Sequence, residues 1–166
     1  MEKIFLFTFV LFLACKEANV HKDSSKNTTE NTTYVESIKF SEYNPSVPAD
    51  FDLYEYRSIE VEKDSVRLIQ YTYKRGVLTQ RSELNSYENK SENERFFATI
   101  PEGYLLKNQV FGTLETEADG GAIQALVSTT EKDSIVWKIS LRKETLPKDI
   151  QFVHTYYTKL KSKLYQ

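Results

Sequence analysis

The chain has 166 residues, 40% of them hydrophobic, with 22 Lys and Arg against 24 Asp and Glu for a formal net charge of -2. That is enough material for one domain with its own core, and it lacks the basic excess that nucleic-acid binding requires. One cysteine excludes a disulfide framework, and two histidines, His21 and His154, supply no histidine-rich metal cluster, so neither a metal nor a cofactor is expected.

The N-terminus carries the clearest pattern. Lys3 precedes an apolar run from Ile4 to Ala14, which stops at Cys15 and the charged pair Lys16-Glu17. The run is shorter than the roughly 18 to 20 residues needed to cross a bilayer core, and it has the layout of a signal peptide. Leu11-Phe12-Leu13-Ala14-Cys15 resembles the bacterial lipobox, with Phe12 standing where leucine is usual. The resemblance implies that residues 1–14 are removed and that the Cys15 thiol is the lipid attachment site, leaving a mature lipoprotein held by palmitate-type acyl chains. Each buried methylene contributes about 0.8 kcal/mol, and two or three chains hold a protein stably where one does not. The expected partner is then a membrane. The expected location is the bacterial cell envelope, anchored at the outer membrane on its periplasmic or its surface face. The competing reading is an ordinary secreted protein with glycosylation acceptors at Asn27, Asn31 and Asn89.

Residues 15–34 form the lipidated cysteine and a polar tether, with Lys22-Asp23-Ser24-Ser25-Lys26 leading into two Asn-Thr-Thr blocks and no apolar period. About 20 flexible residues reach roughly 25 Å, enough to hold a domain clear of the headgroups. Residues 35–166 are read as a single globular β-rich domain.

Within that domain, 11 Tyr and 10 Phe against one Trp favour pleated, half-buried surfaces. Alternation predicts strands through Ile59 and Val61, through Ile69, Tyr71 and Tyr73 with Val66 and Leu68 facing the other way, and through Phe96, Ala98 and Ile100. Further strands are expected around Val110 to Leu114, Ala122 to Val127 and Ile135 to Leu141. Turn chemistry separates them at Lys63-Asp64-Ser65, Arg75-Gly76, Pro101-Glu102-Gly103, Asp119-Gly120-Gly121 and Lys132-Asp133-Ser134. Glu62-Lys63-Asp64-Ser65-Val66 recurs as Glu131-Lys132-Asp133-Ser134-Ile135, which reads as one turn solution used twice rather than a repeat array. Near the C-terminus the period changes. Ile150, Val153, Tyr157, Leu160 and Leu164 fall on one helical face, Pro147 and Asp149 suit its start, and Lys159, Lys161 and Lys163 suit its last turn. The expected fold is α+β, mainly an antiparallel sheet covered by one C-terminal helix.

The chain contains no Gly-x-Ser-x-Gly elbow, phosphate loop or dinucleotide fingerprint, and its five glycines leave little to build one. Serine-based catalysis would have to route through His154 on the helix, where a lone histidine without a nucleophile motif reads as structural. No catalytic residue is assigned. Tyr54, Tyr56, Tyr71, Tyr73, Tyr156 and Tyr157 are candidates for a stacking surface, because tyrosine joins an apolar ring to a polar tip. Ile100-Pro101-Glu102-Gly103-Tyr104, with the Leu146-Pro147 break and the terminal helix, resembles the trailing β-domain of bacterial transglutaminase-like proteins over the C-terminal part of the chain. That family's catalytic Cys, His and Asp domain has no counterpart here, so the resemblance implies an accessory domain. The expected function is a lipid-anchored, non-enzymatic binding or assembly module with an envelope protein or glycan as partner. Two alternatives stay open: an envelope polysaccharide or peptide hydrolase using a carboxylate pair, and an immunity lipoprotein that neutralises a toxin.

Overall fold

The computed structural model describes residues 34–43, 52–114, 122–131 and 134–166. The leader, Cys15, the tether up to residue 33 and the Asp119-Gly120-Gly121 turn lie outside the described residues. In chain order the elements are β1 (Val35–Tyr43), β2 (Leu53–Glu62), β3 (Ser65–Lys74), β4 (Val77–Glu88), α1 (Lys90–Thr99), β5 (Gln109–Phe111), β6 (Ala122–Thr129), β7 (Ser134–Ser140) and α2 (Gln151–Leu164). Short 3-10 turns occupy Glu102–Leu105 and Lys143–Thr145.

The strands form one seven-stranded sheet in the order β4-β3-β2-β1-β6-β7-β5. Every pairing is antiparallel except β5 with β7. The α+β class, the mainly antiparallel sheet and the C-terminal helix are therefore as the sequence pattern indicates. The Glu62-Lys63-Asp64-Ser65 turn joins the antiparallel neighbours β2 and β3; β6 and β7 are also antiparallel, and Lys132 and Asp133 between them lie outside the described residues.

Register builds the core. Leu68, Ile59, Phe40, Ala125 and Trp137 line up across β3, β2, β1, β6 and β7, and Val66, Val61, Ile38, Val127 and Ile135 form the next row. All ten are buried. Burying a Val, Ile, Leu or Phe side chain contributes about 1.5–3 kcal/mol each, so these rows dominate the stability of the sheet. The predicted face of α2 closes over them, with Ile150, Val153, Tyr157, Leu160 and Leu164 all buried.

One expectation needs correcting. Phe96, Ala98 and Ile100 do not form a strand; they lie on α1 and its C-cap, so a second helix shares the covered face with α2. An alternation of three residues was too short to separate the two periods. The polar run Lys90 to Arg95 instead carries a helix whose buried positions, Asn93 and Phe96, are three apart. Phe96 stacks on Tyr156 of α2 at 3.9 Å between ring centroids, which joins the two helices.

Asn93 ties these elements to the sheet. It is fully buried, and its amide donates to the carbonyls of Glu62 (2.7 Å) and Ser65 (3.2 Å), on either side of the β2–β3 turn. Its own oxygen accepts from the Tyr156 hydroxyl (2.5 Å) and the Asn89 amide (2.9 Å). All its hydrogen-bonding capacity is used, as a buried amide requires.

At the opposite end, Trp137 is fully buried, donates through its indole N–H to the Tyr104 carbonyl (3.1 Å) and meets Phe111 edge-on. Gly112 follows β5 with φ +76°, and a Cβ there would stand 2.6 Å from Thr145 Oγ1 and 2.9 Å from Leu146 Cδ2 and Ser140 Cβ. Only glycine fits.

Candidate functional site

The sheet face opposite the helices collects four of the six candidate tyrosines. Ile59 and Val61 point into the core from β2, so Tyr54 and Tyr56, at the other parity, point away from it; Tyr71 and Tyr73 do the same on β3. The register sets Tyr54 opposite Tyr73 and Tyr56 opposite Tyr71. Tyr56 stacks on Tyr71 with centroids 4.9 Å apart and planes 10° apart, and lies 5.9 Å from both Tyr73 and Tyr54. The result is a ladder of rings that occupies the half of the hairpin farthest from the Asn93 clamp. Ile69 is buried on this face without belonging to the main core cluster.

Charged groups organise around the ladder. Lys39 of β1 holds its ammonium 3.9 Å from the Tyr71 ring centroid and 5.7 Å from that of Tyr56, a cation–π arrangement. Glu60 is registered opposite Lys39, but its carboxylate accepts from the Tyr71 hydroxyl and from Arg81 Nη2 (2.9 Å), with Arg67 Nη2 at 3.6 Å. Burial raises the Tyr56 phenol far above its ordinary value, with the Tyr73 hydroxyl and neighbouring phenols adding to the shift. It stays neutral at any physiological pH.

Beside the ladder runs a shallow groove of about 280 Å³, lined by Lys39, Ser41, Tyr54, Tyr56, Gln124 and Leu126, with Glu42 at one end. The sequence explains its shape. Ser41, an outward residue of β1, is short beside the tyrosines of β2, and Leu126 of β6, 36% exposed, supplies the other wall. Gln124 and Ser41 make no side-chain hydrogen bond among the described residues, whereas the Glu42 carboxylate accepts from Tyr157 (2.9 Å) and pairs with Lys161 of α2.

Two other hollows lie on the helix side. An apolar cleft of about 680 Å³ between α1 and the start of β1 is lined by Val35, Phe97, Ala98, Ile100 and Leu105, and Glu36, Glu94 and Glu102 border it. Lys63 pairs with Glu94 at 3.4 Å. Another, about 490 Å³, lies between α1 and α2 where Lys159 donates to Glu92 (2.5 Å). That bond holds the Glu92 carboxyl below its usual range.

Tyr156 and Tyr157 do not join the ladder. They sit on α2 in the core, their hydroxyls bound to Asn93 and Glu42. His154 also sits on α2, half-buried, and its Nε2–H donates to the Leu141 carbonyl (2.9 Å), a structural contact that occupies that nitrogen. Cys15, the expected lipid site, and His21 lie outside the described residues. Among the described residues, no three His, Cys, Asp or Glu side chains converge to hold a metal, and no helix is long and apolar enough to cross a membrane. Lys39, Ser41, Glu42, Gln124 and Leu126 are the groove residues that sequence reasoning did not single out. No protein-family model, curated protein or solved structure matches this chain.

Proposed function

We propose that this protein is a lipid-anchored lipoprotein of the bacterial cell envelope, held through Cys15, whose domain is a non-enzymatic module that binds an envelope glycan on the tyrosine face. The observation that carries the binding reading is the ladder of Tyr54, Tyr56, Tyr71 and Tyr73 on the sheet face away from both helices, beside a groove with unspent polar groups. The rings of Tyr54 and Tyr56, two residues apart on β2, have centroids 5.9 Å apart. They offer an extended chain of sugar rings a series of flat apolar platforms, with hydroxyl tips for its polar edges. The lipobox resemblance supports the anchor.

Both halves are testable on the full-length chain. Mass spectrometry of the mature N-terminus should find acylated Cys15, and Cys15→Ser should leave the protein unlipidated and lost from the membrane fraction. Membrane retention equal to wild type would remove the anchor. Tyr56→Ala should abolish retention by envelope polysaccharide; undiminished retention would remove the binding face.

A second reading rests on the 680 Å³ cleft, whose bordering Glu36, Glu94 and Glu102 supply carboxylates for hydrolysis of a glycan or peptide. Loss of a hydrolytic activity in Glu94→Gln or Glu102→Gln, with the fold intact, is the result that would favour it.

A further inference from the structure

We propose that the groove beside the tyrosine ladder selects acidic glycans, with Lys39 receiving the anionic group of a sugar stacked on Tyr54 and Tyr56. The inference rests on the glycan-binding reading and adds the charge of the ligand. Its basis is the balance of unspent groups in the groove.

Lys39 forms no ion pair among the described residues, although it stands among carboxylates. Its register partner Glu60 is taken up by Tyr71, Arg81 and Arg67. The other nearby carboxylate, Glu42, is held by Tyr157 and Lys161 of α2. The groove therefore faces a ligand with one uncompensated ammonium, the Gln124 amide and the Ser41 hydroxyl, while the acid at its end is already bonded. The stacked rings beneath the ammonium fix its position, so little side-chain freedom remains to be lost on binding. An anionic sugar above Tyr56 completes a charge-assisted hydrogen bond; a neutral one leaves the ammonium with solvent alone.

The test compares two probes with one backbone: polygalacturonate, and the same polymer with its carboxylates methyl-esterified. Binding to the full-length protein in detergent is followed by affinity electrophoresis. Wild type should prefer the acid form by about tenfold, the size expected for a hydrogen bond to a charged group. The preference should shrink as salt screens the pair. Lys39→Met should lose the preference, its ratio of acid to ester binding falling to about one, and Lys39→Arg should keep it. Circular dichroism on each variant checks the fold. Equal binding of both polymers by wild type, or an acid preference that survives in Lys39→Met, overturns the proposal and leaves the glycan-binding reading standing. Failure of wild type to bind either polymer overturns both.

Discussion

The two faces of this sheet are made by the same strands and resolved in opposite ways. On the helix face, rows of branched and aromatic side chains from five strands vanish beneath α1 and α2, and the polar atoms that enter with them, such as the Asn93 amide, are fully matched. On the other face, rings stack on rings, Glu60 gathers its own counter-charges, and the ammonium of Lys39 is spent only on aromatic faces. The same residue type serves both purposes. Tyr156 is a core residue with a satisfied hydroxyl and Tyr54 is 37% exposed, and the difference is set by element and parity rather than by tyrosine itself.

Breaking the helix face should cost the fold; breaking the tyrosine face should cost binding and much less stability. Trp137→Ala removes a fully buried indole and should lower unfolding free energy by about 3–5 kcal/mol in urea denaturation. Asn93→Ala should lower it by about 2–3 kcal/mol, because two carbonyls and two donors lose their partner together. Tyr71→Phe, on the other face, removes the hydroxyl that donates to Glu60 and accepts from Arg81 Nε (3.4 Å), and should cost about 1 kcal/mol. Tyr54→Ala should change stability by less than about 0.5 kcal/mol, the usual range for a surface substitution, while weakening glycan retention. A destabilisation like that of Trp137→Ala would make the ladder a second core instead of a surface. The smallest effect is electrostatic. Glu92 has a lowered pKa through Lys159, so its contribution is fully present above the ordinary value of 4.5 and disappears as pH falls through the lowered one. Lys159 is largely exposed and Glu92 partly so, so solvent screens the pair, and a small acid-side loss of thermal stability, absent in Glu92→Gln and reduced by salt, is the expected outcome.

Much of the covered face was legible from periods and turn chemistry. The stripe from Ile150 to Leu164 carries five apolar positions, enough to fix a period and a side, while Ile59 with Val61 and Val66 with Leu68 gain their meaning from the Lys63-Asp64-Ser65 turn between them. The same parity already separates Tyr54 and Tyr56 from the core, so the ladder was readable in principle once the inward residues of β2 were chosen. Other parts carried weaker signals. β1 offers only Ile38 and Phe40 between polar neighbours, and its central place depends on pairing with β2 and β6, which the local sequence does not encode. β4, polar and largely exposed, is an edge strand held by its ladder to β3. Lys39 and Gln124 acquire meaning only from that register.

The antiparallel pairing of β1 with β2 sets how the domain would bear force. β1 and β2 are antiparallel, with Ser37 beside Glu62 and Ser41 beside Ser58, so Tyr34 at the head of β1 and Tyr54 near the head of β2 lie at opposite ends of the pair. On the proposed reading, a pull between a lipid-anchored N-terminus and a glycan held on the tyrosines would run along the strands, across bonds that stand perpendicular to them. The pairing would then be loaded in shear, all its rungs at once, rather than peeled open one rung at a time.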